Sequence, residues 1–237
     1  MKGKATNVSS ALKTKETTPA KRIFVVDDHP MMRDGMSRLI DGEPGLMCCG
    51  GAKSAEEAIA AIPQSKPDLV ITDITLPQRS GLELIKDLAA THPEILVFVY
   101  SMHDENYYAE RALRAGARGY LMKEAGSEKM LEEIHRIFRG EVSVSPKVAS
   151  KILSLFSGAQ PRTTHSPFEK LTDREFEVYQ LIGHGKTTKE IAEQLHVSPK
   201  TVAVHRGHIK EKLGIPSAAE LTHQAIRWAE SQGGQAG

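Results

Sequence analysis

Between residues 22 and 139 the chain alternates two apolar rhythms. Short unbroken apolar runs fall at Ile23–Val26, Leu46–Cys49, Leu69–Thr72, Leu96–Tyr100 and Gly119–Met122. They are rich in branched residues and too short for helices, as strands buried on both faces should be. Between them apolar residues recur at helical spacing. Met32, Met36, Leu39 and Ile40 form one stripe, and Ala58, Ile59 and Ile62 a second, after a Ser54-x-x-Glu57 capping box. Leu82, Ile85 and Leu88 form a third, Tyr108, Ala109, Ala112 and Leu113 a fourth, and Met130, Leu131, Ile134, Ile137 and Phe138 a fifth. This alternation predicts an α/β domain over 22–139, with a doubly wound five-stranded parallel sheet and helices on both faces.

From Gly140 the pattern changes. Val148, Ile152 and Phe156 share one face of a short helix, and Ser157 to Pro167 is small, polar and proline-bearing. Residues 140–167 therefore read as a linker with a short helix. Every later segment is helical in pattern. Capping boxes at Thr172-x-x-Glu175, Thr187-x-x-Glu190 and Ser217-x-x-Glu220 open three helices, and Ser198-Pro199 opens another. Gly183, Gly185, Gly214 and Pro216 supply the stops. Residues 168–232 are thus expected to form a small all-α domain of four helices.

Composition narrows the partners only slightly. A formal net charge of +1 over 237 residues gives no global attraction to nucleic acid, so any such surface must be local. Cys48 and Cys49 are adjacent, and neighbours on a strand point to opposite faces. Reduced thiols and a reducing, cytoplasmic compartment are expected. Residues 1–21 are polar and lysine-rich with no apolar signal core, and are expected to be disordered. No apolar run approaches the roughly 18 residues of a membrane span.

The chemistry lies at strand ends. Asp27 and Asp28 close the first apolar run and Asp73 the third. Three carboxylates at one sheet edge require a cation or raise one another's pKa. A divalent-metal pocket with one carboxylate free as a nucleophile satisfies this, and a carboxylate can carry a phosphoryl group. Lys123 after the fifth run could supply a fixed positive charge, and Ser101 after the fourth a hydroxyl.

These residues, in this order, resemble a response-regulator receiver domain, which has a flavodoxin-like fold. The resemblance implies that Asp73 is the phosphoacceptor. It implies that Asp28, the Asp73 side chain and the Thr75 carbonyl hold Mg²⁺, with Asp27 beside it or acting through water. Ser101, Tyr120 and Lys123 would form the switch. Pro77-x-x-Ser80-Gly81 also fits, whereas Glu124 stands where a proline is common. Thr75 and His103 flank the pocket and are candidates for tuning phosphoryl lifetime.

Residues 187–206 have the length and punctuation of a helix-turn-helix. The helix from Ser198 to Leu213 carries Lys200, Arg206, Lys210 and Lys212 against Glu211, a positive surface suited to a phosphate-lined groove. Leu171-Thr172-x-Arg174-Glu175-x-Glu177-Val178, Thr187-Thr188-Lys189-Glu190-Ile191-Ala192, Ser198-Pro199-Lys200-Thr201-Val202 and Lys212-Leu213-Gly214 resemble a LuxR-type domain. With the receiver they make the chain resemble a NarL/FixJ-type response regulator. The resemblance implies that Lys200, Thr201, Ala203, Val204, His205, Arg206, Gly207 and Lys210 face DNA, with Lys200, Thr201, Arg206 and Lys210 mainly on phosphates. Leu221, Ala225 and Trp228 share a stripe on the last helix. It implies pairing of two copies there, although the same stripe could close the module's own core.

The resulting expectation is a cytoplasmic two-component regulator, not an enzyme. It would be phosphorylated on Asp73 by a sensor histidine kinase and would bind promoter DNA as a homodimer, with RNA polymerase as a further partner and no membrane contact. Two alternatives stand beside it. One is a DNA-binding regulator whose receiver works without phosphorylation. The other is an aspartyl-phosphate phosphotransferase, against which Thr75 stands where such enzymes carry a second acid.

Overall fold

The structure is a computed structural model describing residues 19–156 and 167–233. The expected disordered tail, up to residue 18, and the linker stretch 157–166 lie outside the described residues. The strands are β1 (Lys21–Val26), β2 (Leu46–Ala52), β3 (Leu69–Thr72), β4 (Leu96–Ser101) and β5 (Gly119–Met122), all parallel, in the order β2-β1-β3-β4-β5. The helices between and after them are α1 (Pro30–Gly42), α2 (Ala55–Ser65), α3 (Gly81–Thr91), α4 (Glu105–Ala115) and α5 (Ser127–Phe138). Successive strand residues feed opposite faces. Ile23, Val25, Leu69 and Ile71 pack with Met36, Ile40, Ile134 and Ile137 of α1 and α5. Phe24, Val26, Val70 and Val99 pack with Ile62, Leu82, Leu88 and Tyr108 on the other side. The strand order reverses between β1 and β3, which opens a crevice at their carboxyl ends where Asp27, Asp28 and Asp73 lie.

Two stripe positions differ from expectation. Leu39 is 40% exposed and Ile59 38%. Each is one residue from a buried neighbour, Ile40 and Ala58, and one residue is about 100° of helix rotation. β2 runs on through Gly50 and Gly51, with a bulge that skips Cys49 in the pairing to β1. Cys48 and Cys49 are free thiols, each partly buried.

Past α5 the chain returns along β5. Ser143 bridges Gly119, accepts from the Tyr120 amide at 2.8 Å and donates to the Arg118 carbonyl at 2.9 Å. A Cβ on Gly119 would lie 2.8 Å from Ser143, so this approach needs a glycine. The Ser143 hydroxyl donates to the buried Glu133 at 2.6 Å. The short helix α6 (Pro146–Phe156) follows.

The C-terminal module contains α7 (Asp173–Gly183), α8 (Thr188–Gln194), α9 (Pro199–Leu213) and α10 (Ala218–Gly233). Thr172 and Thr187 make reciprocal capping boxes with Glu175 and Glu190, and Ser198 accepts from the Thr201 amide. Phe176, Val178, Ile182, Ile191, Leu195, Val202, Ile209, Leu221 and Ala225 form its core. Gly183 lets α10 close on α7, because a Cβ there would sit 2.6 Å from the Ala225 carbonyl oxygen. None of the described helices is long and apolar enough to cross a membrane.

Candidate functional site

The sheet's carboxyl edge brings the expected pocket residues together. Lys123 Nζ binds Asp27 Oδ2 at 2.6 Å and also reaches Asp73 Oδ2. The Ser101 hydroxyl and the Ile74 amide each donate to Asp73 Oδ1 at 2.6 Å. Asp27 Oδ1 accepts from the His29 amide at 2.8 Å. Asp27 and Ser101 are fully buried and Asp73 nearly so. Burial alone would lower the Lys123 pKa, but the attraction of Asp73 and the Asp27 hydrogen bond outweigh it, and the net shift is upward. The ammonium is therefore a fixed charge between two carboxylates.

Asp28 lies at the mouth. Its Oδ1 is buried and receives no well-directed hydrogen bond, although His29 Nδ1 lies 2.7 Å away. Ligand atoms of Asp27, Asp28 and His29 lie within 4.8 Å of one another. Carboxylate oxygens, one of them an unsatisfied acceptor, suit a hard divalent cation such as Mg²⁺.

The loop after β3 passes tightly beneath Asp73. A Cβ on Gly81 would lie 1.9 Å from the Asp73 carbonyl oxygen, so only glycine fits. Ser80 then caps α3 through a capping box with Glu83. Thr75 Oγ1 lies 2.7 Å from His103 Nε2. Burial lowers the His103 pKa against the opposing pull of Asp73. The Tyr120 ring is 1% exposed, and its hydroxyl donates to the His103 carbonyl at 2.8 Å. Burial and the nearby Asp73 charge push that phenol upward.

On α9, Lys200, Ala203 and Val204 are exposed, and Thr201, Arg206, Gly207 and Lys210 are partly so. The Arg206 guanidinium leans toward Thr222 of α10 at 3.4 Å, and its partial burial lowers its pKa. His205 turns inward, with Nδ1 buried and without a hydrogen-bond partner. Lys212 also turns inward and binds the buried Glu175 at 2.6 Å. On α10, Leu221 and Ala225 are buried within the module. Trp228 sits edge-on to Tyr107 of α4, with ring centroids 5.1 Å apart, and packs on Phe168, Phe176 and Tyr179.

Sequence reasoning missed the residues that join the two halves at the pocket. Glu177 of α7 is buried, accepts from the Arg174 guanidinium at 2.8 Å and from Thr75 Oγ1 at 3.4 Å. Burial pushes its carboxyl up to about 7 against the pull of Arg174. His196, in the turn between α8 and α9, places Nε2 3.4 Å from Asp28 Oδ2. Their only advance signal was a charged residue on an otherwise buried helix and a histidine in a tight turn.

The family description "Response regulator receiver domain" matches residues 23–135, and "Bacterial regulatory proteins, luxR family" matches residues 169–225. The response regulator GacA of Pseudomonas viridiflava is 36% identical over 206 residues, covering 87% of this chain and 95% of that one. The chain belongs to the NarL/FixJ-type response regulators. The oxygen regulatory protein NreC of Staphylococcus carnosus is 32% identical over 210 residues, covering 87% of this response regulator and 97% of NreC. A crystal structure of a LuxR-family two-component response regulator from Aurantimonas sp. SI85-9A1 is 32% identical. It has a TM-score of 0.54 and covers 58% of this chain and 99% of that one. RcsB from Salmonella enterica serovar Typhimurium shares the fold, with a TM-score of 0.56 at 21% identity, over 86% of this chain and 97% of that one.

Proposed function

We propose that this response regulator accepts a phosphoryl group on Asp73 from a sensor histidine kinase and regulates transcription by binding promoter DNA through α9. The observation that carries the reading is the arrangement around Asp73, with Lys123 on one carboxylate oxygen and the Ser101 hydroxyl and Ile74 amide on the other. A carboxylate oxygen of Asp73 attacks phosphorus as the bond from phosphorus to the donor imidazole nitrogen breaks. The nitrogen keeps the electron pair and later takes a proton. Lys123 holds the added charge, and the Ser101 hydroxyl turns from Asp73 to a phosphoryl oxygen while Tyr120 adjusts behind it.

Asp28, the Asp73 side chain and the Thr75 carbonyl would hold Mg²⁺, with Asp27 close by or acting through water. When bound, the cation neutralises charge on the phosphoryl oxygens. The new group brings roughly −1.5 to −2 charges into the pocket.

In the output half, α9 enters the major groove. Lys200, Thr201, Arg206 and Lys210 bind phosphates, and Ala203, Val204 and Gly207 lie along the reading face, while His205 turns inward. RcsB, which shares this fold, has been solved in complex with DNA. Two copies pair on DNA, with Leu221 and Ala225 buried in each module's own core and not at the seam, and RNA polymerase is a downstream partner in the cytoplasm. Thr75, rather than a second acid, follows Asp73 by two residues, which favours a regulator over a turnover phosphotransferase. The experiment is uptake of acid-stable, base-labile phosphate from a small phosphodonor with Mg²⁺. Wild type labels and Asp73→Asn does not. Equal labelling of both would overturn the reading.

A further inference from the structure

The proposed cation site lies not at an open surface but in a cleft of about 1080 Å³ whose walls come from both halves. Asp28, Asp73 and Thr75 line one side, and Glu177, His184 and His196 the other. The contacts across it fall on the residues just assigned to the cation. His196 Nε2 lies 3.4 Å from Asp28 Oδ2, and His29 Nδ1 lies 2.7 Å from Asp28 Oδ1, so an imidazole faces each oxygen of that carboxylate. The Thr75 hydroxyl donates to Glu177 at 3.4 Å. Arg174 neutralises Glu177, with its other nitrogen 2.6 Å from the Leu195 carbonyl, one residue before His196. The lid is thereby braced to the body of the C-terminal module.

We infer that the α8–α9 turn is a lid on the phosphoacceptor pocket, in which His196 occupies the coordination position of a divalent cation at Asp28. Docking of the DNA-binding module and occupancy of the cation site then exclude one another. Mg²⁺ needs octahedral room and keeps several waters, which the His196 ring denies it at Asp28 Oδ2. By linkage, whatever lifts the module tightens Mg²⁺, and Mg²⁺ weakens docking by the same factor. The cation would loosen the lid before any phosphoryl group arrives. The inference rests on the phosphoacceptor reading of the pocket.

Two features of the chain make a clean test. His196 holds φ +52, a left-handed conformation that suits glycine, so His196→Gly removes the ring without straining the turn. Asparagine tolerates the same region, and His196→Asn serves if the glycine variant does not fold. Trp228 against Tyr107 reports docking. Calorimetric titration of the full chain with MgCl₂ alone is expected to give at least fivefold tighter binding in His196→Gly than in wild type. Trp228 emission in wild type is expected to shift as Mg²⁺ saturates, and not to shift in Asp28→Asn. Equal Mg²⁺ affinity in wild type and His196→Gly, or unchanged emission at saturation, overturns the lid. If wild type still takes up phosphate on Asp73 in that case, the phosphoacceptor reading stands. No Mg²⁺ binding to any variant, with no phosphate uptake, removes both.

Discussion

The Tyr108 hydroxyl donates a 2.7 Å hydrogen bond to the side-chain carbonyl of Gln180, and both residues are buried. This bond joins α4 of the receiver to α7 of the DNA-binding module. Tyr108→Phe would leave the Gln180 acceptor buried and unpaired, which costs about 1–3 kcal/mol. The loss should fall on docking, because the ring itself stays in place. Faster amide hydrogen exchange in α7, with α1 and α2 unaffected, is the expected result.

Arg111 reaches several partners across the two halves. It donates to Asp173 at 2.9 Å and to the Phe168 and Leu171 carbonyls at 2.7 and 3.3 Å, and stacks 4.7 Å over the Phe176 ring. Arg111→Ala should weaken docking by about 2–5 kcal/mol, since buried partners are left unpaired. Arg111→Lys should rescue little, because one ammonium cannot replace a forked, stacked guanidinium. Small-angle scattering should show a larger radius of gyration for both variants than for wild type.

Removing the Lys123 charge leaves Asp27 and Asp73 facing each other. Lys123→Ala is expected to lower receiver stability by about 3–5 kcal/mol, the range for a broken buried ion pair. Urea unfolding would measure it. Millimolar Mg²⁺ should restore part of the loss in the variant, because the cation can replace some of the missing charge.

Gly81→Ala tests how tightly the loop after β3 is closed. The added methyl would overlap the Asp73 carbonyl oxygen. Relief requires moving backbone at Asp73, the proposed phosphoacceptor. We expect a loss of about 1–3 kcal/mol, as for overpacking, with phosphate uptake falling more than stability does. Comparing labelling rate with unfolding midpoint in the same preparation separates the two effects.

His205 gives the module a pH dependence. Burial, followed by the Arg174 charge, holds its imidazole below the ordinary value of 6.5, with Glu175 pulling the other way. The unfolded chain therefore binds the proton more readily. Stability from this group is complete above about pH 6.5 and is lost as pH falls below it. Unfolding free energies at pH 7.5 and pH 5.5 should differ more in wild type than in His205→Gln.

Much of the molecule was legible before its structure. β3 and β5 fall on the residues that the apolar runs marked, because a strand buried on both faces leaves an unbroken signature. The capped helices α7, α8 and α9 begin where Thr172, Thr187 and Ser198 said they would, since a cap is a local bond. Asp27, Asp73, Ser101 and Lys123 could be placed together because parallel strands bring their carboxyl ends to one edge. What could not be read was docking. Tyr108 sits on an expected core stripe, yet its hydroxyl meets a residue of the other half. Glu177 and Thr75 are far apart in sequence, and no periodicity records the relative placement of two modules.

The return of the chain past Ser143 has a practical consequence. An exposed strand offers a row of unpaired amides and carbonyls on which other chains can add. Here the connector itself occupies that row along β5, at Gly119 and Tyr120. A receiver fragment ended just after α5 would uncover it and should self-associate, whereas one carried through α6 should stay monodisperse.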